Sequence, residues 1–304
     1  MKHIHIPPYL QKGDTIGLVC PAGYMAAEKT ATCINVLQQW GYQVKVGKTV
    51  GHQHNYFSGT DKERLLDFQE MLDDDGVKAI LCARGGYGIS KIVDAINWKH
   101  FKKHPKWIIG FSDVTVFHSY LFAKLKTASL HAPMANAFNE EGWRTSYVQS
   151  LKKALAGKRQ NYLVDAHELN VKGTGSGRLV GGNLSLLVHQ LATDSDIETK
   201  GNILFIEDIS EYKYHIDRMM VQLGRAGKLK GLAGLIVGGF TDIKDTSIPF
   251  GKTVEELILD HVYKYDYPVC FHFPVSHEKE NFSLKVGMRY ELKVGRKVSL
   301  KELS

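Results

Sequence analysis

Short apolar runs alternate with helix-like segments through the first half of the chain, and this alternation constrains the fold more than any other feature. Strands that alternate with helices predict a parallel sheet with helices on both faces. We therefore predict an N-terminal α/β domain, Rossmann- or flavodoxin-like, over residues 1–157. The strand-like runs occupy residues 14–20, 42–47, 77–88, 106–111 and 128–133. The helix-like segments occupy residues 26–41, 60–74, 89–98, 113–125 and about 144–156.

The pattern changes near residue 157. Residues 157–177 are polar, contain several glycines and have weak periodicity, which predicts a linker at 158–177. We predict that residues 178–304 form a β-rich mixed α/β domain, with a hairpin around Gly295 and Arg296. Its strand-like runs lie at 201–208, 232–240, 268–274 and 290–301, and its helical patterns lie at 212–225 and 253–265.

The composition is that of a globular protein. Among 304 residues, 43% are hydrophobic and 23% are charged, which excludes disordered and fibrous classes. The net charge of +7 is a mild basic excess that suits an anionic substrate or a solvated surface. We interpret the most basic stretch, WKHFKKHPK at 98–106, as a solvated connection and expect no nucleic-acid partner.

Four cysteines and the N-terminus indicate a location. Cys20, Cys33, Cys82 and Cys270 form no C-x-x-C pair, and three of them lie in apolar runs, which indicates buried thiols in a reducing compartment. The first 20 residues have no continuous apolar h-region and no A-x-A cleavage site. No run is long enough to span a bilayer. We expect a cytoplasmic protein with no membrane partner.

Three glycine-bearing loops follow predicted strands. They are CPAGY at 20–24, ARGGYG at 83–88 and GFSD at 110–113. The carboxyl ends of parallel strands meet at one edge of a sheet, where α/β proteins bind their ligands. We therefore expect these loops to lie together and to line the functional crevice.

Ser112 lies where a strand-like run meets a helical pattern. A serine at such a turn can act as a nucleophile, with the N–H of Asp113 directed at an oxyanion. It can also be a helix N-cap, with Asp113 favoured by the helix dipole, and the local sequence favours this interpretation. The segment reads G-x-S-D and does not match the G-x-S-x-G hydrolase pattern.

The RGGYG segment at 84–88 offers closely spaced backbone N–H groups. Such a loop can bind a phosphate or supply an oxyanion donor, but glycines also serve tight strand-to-helix turns. The segment lacks the lysine of a P-loop. Both interpretations stay open from the residues alone.

Acidic and basic partners for Ser112 occur in the second half. Glu207 and Asp208 end an apolar run, where a carboxylate can orient an imidazole, cap the next helix or pair with Arg218. Spacing does not choose between the two carboxylates. His277 follows a proline in a polar loop, where a general base can reach a substrate, whereas His272 alternates within a strand-like run.

A metal site is the rival chemistry. The chain has 14 histidines, including the H-x-H pair His3 and His5. It has no H-E-x-x-H motif and no Cys/His cluster with zinc spacing. We expect no catalytic metal and no cofactor.

Seven segments, taken in order, resemble the LD-carboxypeptidase family of serine peptidases, which includes muramoyl-tetrapeptide carboxypeptidases and microcin C immunity peptidases. The resemblance covers nearly the whole chain. The segments are PAGY (21–24), RGGYG (84–88), IIGFSDVT (108–115), HAPM (131–134), GRLVGGNLSLL (177–187), FIEDISE…YHIDRMM (205–220) and FPVSHEKEN (273–281).

The resemblance implies a Ser–Glu–His triad spread over two domains. On this chain, the nucleophile falls on Ser112, the triad glutamate on Glu207 and the histidine on His277. The oxyanion donors fall on the backbone N–H groups of Gly86 and Asp113. Related sequences often carry glycine before the triad histidine, whereas this chain has Ser276.

The activity that the resemblance implies is release of the terminal D-alanine from muropeptide tetrapeptides by cleavage of an LD-peptide bond, as in cell-wall recycling. Arg84 is a candidate for binding the terminal carboxylate. The expected partners are a muropeptide or other small peptide and a second copy in a homodimer. One alternative is an immunity peptidase that cleaves a peptidyl-nucleotide. Another is a non-catalytic α/β protein that binds a phosphorylated ligand through RGGYG.

Overall fold

The computed structural model describes residues 3–303 and contains two sheets. The first has six strands in the order β11-β5-β4-β3-β1-β2, parallel except for β11 (Leu284–Val286). Its first five strands in chain order follow the flavodoxin-like order 2-1-3-4-5. They are β1 (Thr15–Val19), β2 (Gln43–Val46), β3 (Val77–Cys82), β4 (Trp107–Gly110) and β5 (Ser129–His131).

Helices connect these strands, as the alternating pattern predicts. The second helix has a complete capping box, in which Thr60 and Glu63 each accept a hydrogen bond from the other's backbone N–H. The helices of this half are α1 (Ala31–Gln39), α2 (Asp61–Asp73), α3 (Lys99–Lys103), α4 (Thr115–Tyr120) and α5 (Ser146–Leu155).

Two local predictions for the first half are wrong. Residues 89–98 form two short 3-10 turns, Ile89–Lys91 and Val93–Ala95, instead of one helix. The basic stretch 98–106 is only partly solvated, because it contains α3 and buries Trp98, Phe101 and Lys106. The Lys106 ammonium donates hydrogen bonds to the carbonyls of Met71 and Asp74, which allows its burial.

The second sheet is mixed. Its seven strands lie in the order β10-β9-β8-β7-β12-β13-β6, parallel from β10 to β7 and antiparallel from β7 to β6. The hairpin around Gly295 and Arg296 joins β12 and β13 and confirms that prediction. The strands are β6 (Asn161–Asp165), β7 (Gly173–Asn183), β8 (Ile203–Ile209), β9 (Gly234–Thr241), β10 (Val269–Cys270), β11 (Leu284–Val286), β12 (Arg289–Val294) and β13 (Lys297–Glu302).

Three helices pack against this sheet. They are α6 (Leu184–His189), α7 (Lys213–Arg225) and α8 (Val254–Val262). The second and third coincide with the predicted helical patterns, whereas the six-residue α6 is too short to give a periodic signal. The Asn183 side chain caps α6 by accepting a hydrogen bond from the N–H of Leu186.

The two halves are joined more closely than a linker implies. Residues 158–177, predicted as a linker, contain β6 and the start of β7, both in the second sheet. In the opposite direction, β11 leaves the second half and pairs antiparallel with β5 of the first sheet. One buried apolar cluster includes Leu81 and Leu130 of the first sheet and Leu204 and Phe205 of the second. The structure is a two-sheet α/β fold with a shared core.

All four cysteines are buried. Cys20, Cys33, Cys82 and Cys270 form no disulfide. Among residues 3–303, no helix combines the length and the hydropathy that crossing a bilayer requires.

Candidate active site

Ser112 lies directly beyond the carboxyl end of β4. Its φ is 61°, so a non-glycine residue occupies the left-handed region at the start of a 3-10 turn, Ser112–Val114, that leads into α4. Strained backbone of this kind costs about 1–3 kcal/mol and persists where the surroundings enforce it. The Ser112 side chain does not cap the helix; its Oγ lies 2.9 Å from Nε2 of His277. The turn therefore holds the hydroxyl clear of the sheet and against an imidazole.

His277 connects Ser112 to an acid. Its Nδ1 lies 2.5 Å from Oε2 of Glu207, while its Nε2 faces Ser112. The imidazole is largely buried and packs edge-on against Phe111, with ring centroids 5.0 Å apart. The three side chains come from both sheets and are up to 165 residues apart in sequence, yet they form one continuous hydrogen-bonded chain.

Glu207 and Asp208 have different surroundings, although they are adjacent in β8. Glu207 is fully buried and contacts His277. Asp208 points to the other side, where its Oδ1 accepts hydrogen bonds from Nδ2 of Asn183 and the N–H of Ile209. Its Oδ2 accepts from the N–H of Ser185, in the first turn of α6. Of the two carboxylates, only Glu207 is placed to orient the imidazole.

The electrostatics of the site favour a basic imidazole. Burial lowers the pKa of His277, but its hydrogen bond with Glu207 and the charges of Glu207 and Asp208 outweigh burial, so the pKa lies above its usual value. Burial, together with the charge of Glu207, raises the pKa of Asp208 to about 6. An imidazole with a raised pKa accepts a proton from a serine hydroxyl more readily.

Two other histidines lie in the core nearby. Burial lowers the pKa of His118 to about 4 and that of His131 to about 3, so both are neutral over the physiological range. His118 contacts the Gly110 carbonyl and Ser129 Oγ, each at 2.8 Å. These contacts give it a structural role at the end of β4.

The glycine loop packs against Ser112. A Cβ on Gly85 would lie 3.0 Å from Cβ of Ser112 and 3.3 Å from the backbone nitrogen of Asp113, so a side chain here would require the Ser112 turn to shift by a few tenths of an ångström. Gly86 has a φ of 101°. The N–H groups of Gly86 and Asp113 donate no hydrogen bond to any residue between 3 and 303. Both N–H groups are therefore unpaired within these residues, and the residue between Arg84 and Gly86, Gly85, is the one that lies against Ser112.

Arg84 lies at the exposed start of the glycine loop. Its Nη1 donates a hydrogen bond to the carbonyl of Tyr24, in the first glycine-bearing loop. No carboxylate in the described part of the chain pairs with it. The guanidinium keeps donors free for an anionic ligand.

Ser276 does not displace the histidine. Its Oγ donates to the carbonyl of Glu280 and accepts from the N–H of Glu278, both at 3.0 Å, and the side chain is buried. A Cβ on Gly239 would lie 2.6 Å from Cβ of Ser276, so β9 approaches this loop closely. The hydroxyl therefore ties together the turn that carries His277.

Sequence reasoning missed Arg64, which is fully buried behind the glycine loop. Its Nη1 donates to the carbonyls of Pro21 and Gly88, at 2.6 and 3.1 Å, so it joins two of the three glycine-bearing loops. The residue lies within the predicted helix 60–74, where an arginine is usually solvent-exposed. Its sequence gives no signal that would distinguish it from a surface charge.

The H-x-H pair considered for a metal, His3 and His5, lies away from Ser112: the two rings contact each other with centroids 5.4 Å apart, and His5 pairs with Thr127, before β5. The other histidine of the FHFPVSH segment also lies outside the site. His272 is exposed and pairs with Glu255 at 2.7 Å. Within residues 3–303, the group of side chains that could share a metal ion is Asp75, His100 and His104. These residues precede β3 and β4, so they lie at the edge of the sheet opposite Ser112. The site around Ser112 has the groups for acyl transfer by a nucleophile and a base.

Two domain families match the chain. Residues 16–132 match the LD-carboxypeptidase N-terminal domain, and residues 176–292 match the LD-carboxypeptidase C-terminal domain. Ser112 falls in the first match, and Glu207 and His277 fall in the second. Together the matches cover most of the chain.

Relatives match over nearly their full length. A probable murein peptide carboxypeptidase of Bacillus subtilis is 35% identical over 97% of this chain and 94% of its own length. A murein tetrapeptide carboxypeptidase of Pseudomonas aeruginosa is 27% identical over 90% of this chain and 91% of its own.

Solved structures share the fold. The muramoyltetrapeptide carboxypeptidase of Oxalobacter formigenes superposes with a TM-score of 0.87, covers 95% of this chain and 99% of its own, and is 27% identical. The microcin C7 self-immunity protein MccF, in complex with aspartyl sulfamoyl adenosine, also gives 0.87, covering 98% of each chain. At 21% identity, the second comparison establishes similarity of fold alone.

Proposed function

The chain belongs to the LD-carboxypeptidase family, and we propose that it is a serine carboxypeptidase that releases the terminal D-alanine from muropeptide tetrapeptides. The observation that carries the proposal is the hydrogen-bonded chain from Ser112 through His277 to Glu207. The names of the relatives, murein peptide and murein tetrapeptide carboxypeptidases, give the substrate class.

In the first step, Ser112 attacks the carbonyl carbon of the residue that precedes D-alanine. The Ser112 proton passes to Nε2 of His277, which lies 2.9 Å away. Glu207 holds the other ring nitrogen and stabilises the imidazolium that forms. The carbonyl oxygen becomes an oxyanion beside the N–H groups of Gly86 and Asp113. Loss of one such donor typically costs roughly 100- to 1,000-fold in rate.

The second step restores the enzyme. The tetrahedral intermediate collapses, His277 donates its proton to the amine of D-alanine, and the amine leaves. Water then attacks the acyl-enzyme ester, with His277 as the base, and the shortened peptide departs as a carboxylic acid. No group besides the described side chains and water is required for either step.

Recognition of a terminal carboxylate distinguishes a carboxypeptidase from an endopeptidase. Arg84 supports this role because it is exposed and directly precedes Gly85, which packs against Ser112, while its guanidinium lies against Gly23 and Tyr24 of the neighbouring loop. An arginine can bind a carboxylate through two parallel hydrogen bonds. The net charge of +7 also favours an acidic muropeptide.

A peptidyl-nucleotide is the second candidate substrate. Tyr56 and Tyr87 are each about half exposed beside the glycine loop, and Tyr56 Oη lies 2.8 Å from where a Cβ of Gly86 would be. Exposed aromatic rings can stack on a base. The catalytic chemistry would be unchanged.

The test is incubation with synthetic tetrapeptides that differ in the third residue and end in D- or L-alanine, followed by mass spectrometry. We expect release of D-alanine by the wild type, no release by Ser112→Ala, and no effect of EDTA. A peptidyl-sulfamoyl nucleoside serves as the competing substrate. Unchanged turnover by Ser112→Ala would exclude Ser112 as the nucleophile, and strong inhibition by EDTA would favour a metal mechanism.

Location, assembly and domain division are further parts of the proposal. Four buried, unpaired thiols suit the reducing cytoplasm. The homodimer that the resemblance implies is testable by light scattering. We divide the chain into a nucleophile-bearing part at 1–157, a segment at 158–177 that contributes β6 and the start of β7 to the second sheet, and a part at 178–304 that carries Glu207 and His277.

A further inference from the structure

The glycine loop that carries Gly86 requires external support. Gly86 and Gly88 have φ angles of 101° and 140°, conformations that glycine adopts readily, and a glycine backbone loses more conformational entropy than any other when it is held in one conformation. One backbone hydrogen bond, from the N–H of Gly23 to the carbonyl of Gly85 at 3.0 Å, holds its middle, and a second, from the N–H of Lys91 to the carbonyl of Gly88 at 3.2 Å, closes the 3-10 turn at its end. An oxyanion donor must be held within a few tenths of an ångström to be effective. Neither backbone bond holds the N–H side of the Gly88–Ile89 peptide unit, so side-chain contacts must supply the remaining support.

Two buried charges hold the peptide unit between Gly88 and Ile89. Nη1 of Arg64 donates to the carbonyl of Gly88 at 3.1 Å. The N–H of Ile89 donates to Oδ2 of Asp113 at 2.9 Å. The carbonyl and the N–H belong to the same peptide unit, so this unit has a side-chain hydrogen bond on each side. Arg64 and Asp113 are both fully buried.

Arg64 also connects this peptide unit to the surrounding loops. It donates to the carbonyls of Pro21 and Gly59, at 2.6 and 3.3 Å, and pairs with Asp61. A Cβ on Gly88 would lie 3.2 Å from Cζ of Arg64, so the loop is packed directly on the guanidinium. Burying an arginine in this way is costly unless it is hydrogen-bonded, and here each of the three guanidinium nitrogens has an acceptor.

Asp113 is buried at an energetic cost. Burial raises the pKa of Asp113 to about 6, against the opposing effects of the Ile89 N–H, the Arg64 charge and the Gly88 N–H. Its Oδ1 has no hydrogen-bond partner among residues 3–303. An asparagine or serine could accept one hydrogen bond at lower cost. A carboxylate fits this position because its negative charge compensates the positive charge of Arg64 on the other side of one peptide unit.

We propose that Arg64 and Asp113 are positioning residues that clamp the Gly88–Ile89 peptide unit and thereby place the Gly86 N–H opposite Ser112. Asp113 then acts on both oxyanion donors. Its own N–H is one of them, and its side chain anchors the loop that carries the other. This inference rests on the proposed acyl-transfer function of Ser112.

The test separates positioning from general support of the fold by comparing Asp113→Ala and Asp113→Asn with Asp67→Ala. Asp67 is a matched control because it is also a buried carboxylate that holds a loop of the first sheet, accepting from the N–H groups of Lys48 and Thr49. Each variant is assayed for kcat and KM on the tetrapeptide and for the rate constant of Ser112 labelling by a fluorophosphonate.

We expect Asp113→Ala to lower kcat and the labelling rate about 100-fold, with KM within about threefold, because one oxyanion donor is misplaced. Asp113→Asn keeps an acceptor for the Ile89 N–H. Its kcat and labelling rate should therefore be about tenfold higher than those of Asp113→Ala. Asp67→Ala should lose a similar amount of thermal stability but keep kcat within about threefold. If Asp113→Ala does not fold, Arg64→Lys, with fewer donors, replaces it and should lose about tenfold in both rates.

The inference is overturned if Asp113→Ala, or Arg64→Lys in its place, labels and turns over at the wild-type rate. Because labelling needs no muropeptide, a wild type that labels at Ser112 but releases no D-alanine refutes only the proposed substrate. The same labelling comparison then still decides the inference. A wild type that neither labels nor turns over refutes both.

Discussion

The N–H of Asn183 donates a hydrogen bond to Oγ1 of Thr115 at 3.0 Å. Thr115 begins α4, three residues beyond Ser112, and Asn183 is the register partner of Glu207 in the parallel pair of β7 and β8. This bond therefore joins the element that carries the nucleophile to the strand beside the acid. It fixes the distance between the two sheets at the point where the proposed triad requires accuracy.

Gly182→Ala should disrupt this junction. A Cβ on Gly182 would lie 2.7 Å from Cγ2 of Thr115, and the φ of 145° disfavours any side chain. Overpacking of this kind typically costs about 1–3 kcal/mol. Because a shift of about 1 Å between reacting groups can cost ~100-fold, we expect kcat/KM for D-alanine release to fall by at least that factor.

Gly227→Ala is the control for Gly182→Ala. Gly227 also has a positive φ, of 75°, but a Cβ there would meet nothing within 4 Å. We expect a loss of about 1 kcal/mol in the free energy of unfolding and unchanged kcat/KM. Equal activity in the two alanine variants would show that the junction does not control the site.

Ser112→Gly should be inactive and more stable than Ser112→Ala. Alanine keeps the unfavourable left-handed conformation at φ 61°, whereas glycine adopts it without a steric penalty. The expected difference in the free energy of unfolding is about 1 kcal/mol, measured by urea denaturation. Glu140, exposed and with a φ of 50°, is the control position, where glycine should stabilise without affecting activity. A less stable Ser112→Gly would contradict strain at the nucleophile.

Glu207→Gln should change the pH dependence of catalysis. The base must be neutral, so kcat/KM rises with pH through the pKa of His277, which lies above its usual value. The variant loses the charge of Glu207 and leaves only a weaker, neutral acceptor for the imidazole N–H, whereas the burial that lowers the pKa is kept. We therefore expect the acid limb of the pH profile to move to lower pH, and the maximal rate to fall by roughly 100-fold or more.

Glu280→Gln serves as the control, because Glu280 is exposed in the same loop and does not contact the imidazole. Its acid limb should coincide with that of the wild type. If the acid limb of the pH profile of Glu207→Gln lay at the same pH as that of the wild type, Glu207 would not set the basicity of His277.

Ser276→Ala should loosen the turn that carries His277. Two hydrogen bonds are lost, those with the Glu280 carbonyl and the Glu278 N–H, at a cost of about 1–3 kcal/mol. We expect a lower melting temperature and a kcat reduced several-fold. Ser119→Ala is the matched control, because Ser119 is buried and its Oγ has no partner in the described residues. Loss of activity in Ser119→Ala but not in Ser276→Ala would refute this role.

The alternation of strands and helices was predictable because each element of the first half carries its own periodicity. The capped helix at 61–73 and the strand at 107–110 are local features, and both were located within a few residues. The prediction of one helix at residues 89–98 was wrong because the backbone there continues from the glycine loop, and the conformation of that loop overrides the helical spacing of the apolar residues. The pairing of β11 with β5 is non-local and leaves no trace in a segment of three residues.

The site was predictable only in part from the residues. Local sequence favoured Ser112 as a helix cap and left Glu207 and Asp208 equivalent, since a cap and a nucleophile use the same residue at the same turn. The distinction lies in the approach of His277 from 165 residues away. Arg64 was missed for the same reason: its partners are carbonyls of separate loops, which no spacing rule brings together.

The pairing of β11 with β5 has a consequence for how this molecule opens and unfolds. The segment between β10 and β11 carries His277. Strand β10 at one end pairs within the second sheet, and β11 at the other end pairs within the first. Moving the two halves apart would break the backbone hydrogen bonds between Leu284–Val286 and β5. We therefore expect the substrate to enter a cleft that is already formed. Amide protons of β5 and β11 should exchange only when the entire chain melts, and denaturation should proceed as one cooperative event rather than half by half.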